Sequence, residues 1–340
     1  MSTTTRQRSA QAWDNSRPGP RRGVTPLVVL AVLFALPGLL AVLLRIFPPT
    51  DDLPALVASF ISYGVIAWTV ALIGFGLAAL LARRKAVLVT LALVCAGLLA
   101  LQLSWLVPLF VPDQRPATTR TFTLLSLNIR GDLGDPDAIL AESGRADVVV
   151  LLETTPKAVR DLKAAGMYEQ FPYRAGTKSR GSASAIFSRF PLSSVQPLPQ
   201  TSFQMWQAVA EIPGVGSVRV IAAHPCNPFC GPGYWQSEHE LLQRVVGDDL
   251  DRPLVVAGDF NAVDDHLPMR DLHRMGLRSA TDIVGAGWLP TYPANSRIPP
   301  LIPIDHIMLN DAMTATSITR VHVAGTDHLG LLATLAGTGG

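Results

Sequence analysis

Pro253-Leu-Val-Val-Ala-Gly-Asp-Phe-Asn261 is the stretch on which the reading turns. Pro253 opens it, and the Val-rich run behind it has the character of a strand buried on both faces. The run stops at Gly258, and Asp259 and Asn261 follow. Residues two apart on a strand point the same way. A carboxylate and a carboxamide are therefore aimed together off the end of a buried strand. Gly-Asp and Asn also occur in plain turns, so the neighbouring strands must decide between a turn and a site.

They carry the same signature. Phe122–Ile129 reads as a strand ending in Leu127-Asn128-Ile129, and Asp147–Glu153 as a buried strand ending in Glu153. Strands are expected at Ser184–Ser188, Gln207–Ile212 and Ser217–His224, the last ending in a histidine. Ile304–Leu309 begins with Asp305-His306, a further strand lies near 316–323, and the final one, His328–Leu335, follows Asp327. Helical spacing appears at 136–143, 156–165, Tyr234–Leu250 and 267–275. Singly, each polar strand end has an ordinary explanation as a solvated or turn residue. Together, Asn128, Glu153, His224, Asp259, Asn261, Asp305, Asp327 and His328 would converge if the strands lie side by side. Carboxylates and carboxamides without thiolates suit a hard divalent ion, Mg²⁺ or Mn²⁺. Histidines at the same mouth suit phosphoryl chemistry, through charge stabilisation and leaving-group protonation. The inference from the residues is metal-assisted hydrolysis of a phosphoester or pyrophosphate.

The rest of the chain sets the location. Of 340 residues, 49% are hydrophobic and only 16% charged, and the apolar excess lies in the first third. Residues 1–23 form a basic tail, expected to be disordered, with Arg6, Arg8, Arg17, Arg21 and Arg22. Apolar blocks at about 26–47, 53–82 and 86–111 are each long enough to cross a bilayer, which makes 24–111 a region of three transmembrane helices. Arg83-Arg84-Lys85 joins the second and third blocks, whereas Asp51 and Asp52 lie between the first and second. The positive-inside rule then puts the N-terminus in the cytoplasm and everything after the third span outside. A linker, 112–119, leads to a domain at 120–340, of ordinary single-domain size. A net charge of +2 gives no electrostatic footprint for nucleic acid. Cys226 and Cys230, four apart with Pro228 between them, have the spacing of a disulfide in an oxidising compartment, the other reading being two free thiols. Phe229, Tyr234 and Trp235 beside them read equally as lipid contacts or as core. Arg180 and Arg189 read as phosphate contacts or as a solvated face.

Leu127-Asn128-Ile129, Leu151-Leu152-Glu153, Ala223-His224-Pro225, Gly258-Asp259-Phe260-Asn261, Ile304-Asp305-His306 and Thr326-Asp327-His328, in that order, resemble the endonuclease/exonuclease/phosphatase superfamily. That superfamily holds DNase I-like nucleases, inositol-polyphosphate phosphatases and neutral sphingomyelinases. The resemblance covers about 120–336. It implies an α/β fold, a four-layer αββα sandwich, with the site at one end of two packed sheets. It further implies Glu153 as principal metal ligand with Asn128 beside it, and Asp327 as a further metal or polar ligand. Asp259 would orient or deprotonate the attacking water, and Asn261 would hold phosphoryl oxygens. His328, oriented by Asp305, would stabilise the transition state, and His224 would serve as acid/base or phosphate contact. Arg130 follows the Asn128 motif where some nuclease members carry an additional Asp. Three spans ahead of such a domain resemble a membrane-anchored bacterial subgroup that includes a teicoplanin-resistance protein. The expected activity is thus a membrane-anchored phosphohydrolase acting outside the cytoplasm on a lipid-linked envelope intermediate or another phosphoester. An extracytoplasmic nuclease and a non-catalytic binding or sensor module of the same fold are the alternatives.

Overall fold

In the computed structural model, which describes residues 23–50 and 52–339, the apolar first third forms three helices long and apolar enough to cross a membrane. They are Val24–Ile46, Ile61–Leu81 and Ala86–Phe110, with mean hydropathies of 3.0, 2.2 and 2.5. The basic tail expected at 1–23 lies, apart from Gly23, outside the described residues. Val24–Ile46 is α1, Gly64–Leu81 is α3 and Ala86–Phe110 is α4. Trp68 of α3 lies against Gly38 of α1, where a Cβ would collide with the indole. The second apolar block is not one helix. A separate short helix, α2 (Asp52–Ala58), precedes a 3-10 turn at Ile61–Tyr63, from which α3 continues. The expected span at 53–82 therefore starts about two turns late, because the chain breaks at Ser59-Phe60 and keeps α2 outside the bundle.

The strands that follow assemble into two sheets of six. In the first, β1 (Thr121–Asn128) pairs in parallel with β2 (Val148–Thr154) and antiparallel with β12 (Gly330–Gly337). β4 (Ala183–Ser188), β3 (Tyr173–Ala175) and β11 (Met313–Val321) extend it to the order β11-β12-β1-β2-β4-β3. In the second, β7 (Gly216–Ala223) pairs in parallel with β8 (Leu254–Asp259), and β10 (Asp305–Leu309) runs antiparallel to β8. β5 (Leu192–Pro197), β6 (Trp206–Ile212) and β9 (Arg278–Ser279) complete the order β5-β6-β7-β8-β10-β9. The inner faces bury Leu124, Val150, Val220, Val255, Ile307 and Leu331 against one another. Outside the first sheet pack α5 (Pro136–Ser143), α6 (Pro156–Ala165) and α7 (Met167–Gln170). Outside the second pack α8 (Tyr234–Gly247) and α9 (Leu267–Arg274), while α10 (Ala280–Val284) follows β9 and closes onto the core between the sheets. The result is the αββα sandwich. Strands β3, β5 and β9 escape sequence reading because they are short or, for β5, largely exposed edge segments without an apolar run.

The domain rests on the ends of these helices through polar contacts. Arg45 of α1 pairs with Asp265 at 3.1 Å, Ser62 donates to the same carboxylate at 2.9 Å, and Tyr63 donates to the Leu301 carbonyl at 2.7 Å. Ala55 of α2 is fully buried in the apolar layer of α8 and α9. Its carbonyl accepts from His266 Nε2 at 2.8 Å, while His266 Nδ1 accepts from the Val263 N–H at 3.0 Å. Those two bonds require a neutral imidazole with its hydrogen on Nε2. Burial accordingly lowers the pKa of His266 to about 4. His239, also buried and without a partner on either ring nitrogen, is lowered to about 3.

Acid should therefore undo this layer. Both histidines take up protons in the unfolded chain below about pH 6.5 but resist them when folded. Stability is complete above that pH and is lost as pH falls through 6.5 toward 4, by on the order of 3 kcal/mol for His266 alone. Thermal unfolding followed between pH 7.5 and pH 4.5 should show Tm dropping by roughly 6–12 °C from His266, with a comparable further drop from His239. His266→Gln, which keeps one donor and one acceptor, should remove about half of that dependence, the remainder belonging to His239. A wild-type Tm independent of pH over that range would contradict the assignment.

Candidate active site

Sheet topology explains why the polar strand ends meet. β1, β2, β7 and β8 all run toward one end of the sandwich, and the antiparallel β10 and β12 start there. In register, Asp305 is paired directly with Asp259. Gly258 is needed beside them: its φ is 155°, and a Cβ would run into the Ala223 carbonyl on β7. Three non-glycine residues at this end adopt positive φ, Arg130 at 55°, Glu153 at 58° and Asn261 at 47°. Such conformations cost of order 1–3 kcal/mol each and gather where side chains must be aimed.

The groups form one connected cluster around a cavity of about 210 Å³ lined by Glu153, His224, Asp259, Asn261, Asp327 and His328. Asp259 is at its centre. Its Oδ1 accepts from the Asn261 N–H at 2.8 Å, and its Oδ2 accepts from Asn128 Nδ2 at 3.1 Å. His224 Nε2 and His328 Nε2 lie 3.7 Å and 3.6 Å from the same Oδ2. Burial raises the pKa of Asp259, against the pull of His328. His328 Nδ1 is 2.8 Å from Asp305 Oδ2. Burial disfavours its charge, yet Asp305 and Asp259 outweigh that and push its pKa up to about 10, so the ring is cationic at neutral pH. His224 is the opposite case. Burial lowers its pKa, its ring stacks on Phe203 at 4.5 Å, and its Nδ1 is buried without a partner.

The Asn128 amide is oriented by its neighbours. Oδ1 accepts from the Arg130 N–H at 2.9 Å, which turns Nδ2 toward both Glu153 Oε1 and Asp259 Oδ2 at 3.1 Å. It thus presents hydrogens, rather than its oxygen, to the two carboxylates. Asn261 donates its side-chain N–H to the Pro225 carbonyl at 3.0 Å, and the second hydrogen on Nδ2 remains for another acceptor. Asp327 sits at the rim, held by Arg130 Nε at 3.2 Å. Arg130, Phe203 and Tyr292, whose ring is 4.9 Å from His328, carried no sequence signal as site residues.

The donor set is rich in oxygen. Asp259, Asp305 and His328 can each offer one ligand atom with all three atoms within 4.8 Å of one another, and Glu153 adds a carboxylate to the cavity that Asp259 and His328 also line. The group can hold a divalent ion, and its chemistry is that of a hard one. Thiolate is absent from it, since the structure pairs Cys226 with Cys230, Cα atoms 6.1 Å apart. The loop carrying that pair is tied down by Glu238, a buried carboxylate of α8 that accepts from the Cys226 N–H at 2.9 Å and from the Ser202 N–H at 2.6 Å. Of the aromatic residues near it, Trp235 is core and donates to the Asn261 carbonyl at 3.0 Å, whereas Phe229 and Tyr234 are exposed. Arg189 is remote from the site, bonded to the Ala146 and Gly144 carbonyls, and Arg180 lies exposed in the turn before β4.

Comparison with solved structures places the same fold elsewhere. A functionally unknown conserved protein from Enterococcus faecalis V583 is 16% identical, with 63% of this chain and 99% of that one covered and a TM-score of 0.53. The endonuclease/exonuclease/phosphatase from Bacteroides vulgatus is 17% identical over 64% and 98% of the two chains, TM-score 0.51. D. rerio TDP2 complexed with single strand DNA product is 17% identical over 63% and 98%, TM-score 0.51. At these identities the likeness is one of fold. No match was found among curated proteins. The sequence model of the Endonuclease/Exonuclease/phosphatase family matches residues 125–328, from within β1 to His328 and so across every strand end described above. With more than half of the chain matched, this protein belongs to the endonuclease/exonuclease/phosphatase family.

Proposed function

We propose that the protein is a membrane-anchored, divalent-metal-dependent phosphohydrolase whose substrate is a phosphoester or pyrophosphate carried by a lipid. One observation carries the lipid part. The link between the first two spans contributes Leu56 and Ser59 to the wall of the cavity that holds Asp259 and His328. A reaction centre walled by a membrane-proximal segment is well placed for a head group at a bilayer surface, where the anchor also raises effective concentration. Arginine in the N-terminal tail and Arg83-Arg84-Lys85 in the second link, against Asp51 and Asp52 in the first, favour a cytoplasmic N-terminus and an extracytoplasmic domain. The paired Cys226 and Cys230 suit that compartment. This is also the arrangement of the membrane-anchored subgroup that the motifs resemble, with the globular domain taken as 120–340 after the linker at 112–119.

Roles follow from the geometry. Glu153, with Asp327 at the rim, would hold Mg²⁺ or Mn²⁺, which when bound supplies a Lewis acid to the phosphoryl oxygens. Asp259, with its pKa raised by burial, is suited to orient the attacking water and accept its proton. His328, cationic and fixed by Asp305, donates to the oxygen on which negative charge develops. Asn261 offers its remaining N–H to a phosphoryl oxygen. Asn128 bridges Glu153 and Asp259 and sets their separation. His224, neutral and beside both carboxylates, contacts phosphate or relays a proton at the leaving group.

Phosphate release by the full chain in nanodiscs, with Mg²⁺ or Mn²⁺, tests this reading. The panel holds a long-chain lipid phosphate, a polyprenyl pyrophosphate, a soluble phosphomonoester and DNA. Metal-dependent turnover strongest on the lipid substrates is expected. Cleavage of DNA alone would establish the nuclease reading instead, and metal binding without any turnover the binding-module reading.

A further inference from the structure

Leu56 and Ser59 face the catalytic cavity, but the residues next to them face elsewhere. The helical turn of α2 carries on past Ala58, with Ser59 N–H bonded to the Ala55 carbonyl and Phe60 N–H to that of Val57. Positions three apart on such a turn share a face. Leu56 and Ser59 thus form one face, and Val57 and Phe60 the adjacent one. The second face borders a separate groove of about 180 Å³ whose other walls are Leu40 and Leu44 of α1 and Ala67 of α3. Its lining is almost wholly apolar, and the one phenol in it, Tyr63, spends its hydroxyl on the Leu301 carbonyl. Leu40, Val57 and Phe60 are 46%, 44% and 46% exposed, so the groove is open on its outer side. Because α1 and α3 belong to helices apolar enough to cross a membrane, that side faces hydrocarbon when they do.

We infer that this groove holds the hydrocarbon chain of the lipid substrate while its phosphate reaches over α2 to Asp259 and His328. The inference rests on the phosphohydrolase reading and adds to it a tail site and two specificity-determining residues, Val57 and Phe60. Three features favour a substrate chain over an ordinary bilayer lipid. The groove and the catalytic cavity are lined by alternating residues of one segment, Val57 and Phe60 on the groove and Leu56 and Ser59 on the cavity. That segment is fixed to the domain by the His266–Ala55 bond and the burial of Ala55, so groove and site keep their spacing. And the catalytic cavity carries an exposed apolar side chain of its own, Phe229, 78% exposed on the disulfide-closed loop.

The test uses the full chain in nanodiscs and compares a long-chain lipid phosphate with a short-chain, water-soluble phosphate bearing the same head group. Val57→Ser and Phe60→Ser, both at exposed positions, are expected to raise KM for the long-chain substrate by about tenfold, from the apolar contact removed. For the short-chain substrate kcat/KM should stay within about twofold, since the catalytic groups are untouched. In parallel, a lipid phosphate with a photoreactive group at its chain end, added to the Asp259→Asn variant, should label the 40–44 and 57–67 segments. Unlabelled lipid phosphate should compete for that labelling, and a phosphate-free lipid should not. Equal loss on both substrates, no loss on either, or labelling spread over outward residues such as Leu80 and Leu93 would overturn the inference. In each of those cases metal-dependent hydrolysis of the short-chain substrate leaves the parent reading standing. Absence of turnover on every phosphoester removes both.

Discussion

Asp259→Asn is expected to lower kcat/KM for phosphoester hydrolysis by about 10³-fold, within the range general base catalysis contributes, without lowering Tm. The buried carboxylate is the shared acceptor for the Asn261 N–H and Asn128 Nδ2, and it lies 3.6 Å and 3.7 Å from the two histidines. An amide of the same shape keeps an acceptor for the Asn261 N–H. It also turns a donor toward the donor on Asn128 and has no site for the proton of water. Burial works against the Asp259 charge in the folded protein, which raises its pKa. Removing that charge relieves a desolvation cost and leaves His328 with its closer partner, Asp305, at 2.8 Å. Activity and stability should therefore separate, as they do where a site is held at the expense of fold stability. The measurement is steady-state kinetics beside a thermal melt of the same preparation. A variant with full activity would remove Asp259 from the proposed base role, and one that loses Tm in proportion to activity would make the residue structural.

The gathering of polar strand ends was legible because strand periodicity and strand termini are both visible in one dimension. A run such as Val148–Leu152 is apolar on every position, so the polar residue that ends it stands out. What one dimension hides is which residues brace those ends. Arg130 follows the Asn128 motif as an unremarkable cation, yet its N–H orients the Asn128 amide and its guanidinium holds Asp327. Glu238 sits on the amphipathic α8 where a solvated acid is expected, and is instead buried to fix the loop of Cys226. Short edge strands β3 and β9 lack the length to show a period.

The larger omission is α2. Its composition is as apolar as the span behind it, so hydropathy merges the two into one block at 53–82. Pro54, in its first turn, marks a helix start rather than the interior of a span, and Ser59 follows where the helix ends. What holds α2 apart is the tertiary clip from His266, more than two hundred residues away, which no local pattern carries. The consequence reaches the candidate site, since that segment lines the cavity of Asp259 and His328 with one pair of residues and the apolar groove with the next.

Glu153→Gln is expected to weaken Mg²⁺ or Mn²⁺ binding by about 100-fold or more, given that loss of an outer partner alone costs 10–100-fold. Glutamine preserves an oxygen to accept from Asn128 Nδ2, now at 3.1 Å from Oε1, so the positioning bond survives while the charge is lost. Glu153 is also one of the residues at this end held at positive φ, 58°, with its side chain lining the cavity. Titration calorimetry of the metal and the metal-induced rise in Tm both read this effect without turnover. Wild-type Tm should rise with added Mn²⁺ and fall back with chelator, following mass action. In the variant the rise should vanish at the same concentration, and activity should return in part at millimolar metal. Recovery with excess metal would separate a ligand from a group that acts only in the chemical step, because a lost base is not restored by more ion. Unchanged metal affinity would move the ion to the Asp259–Asp305–His328 side of the cavity, where the second set of donors lies.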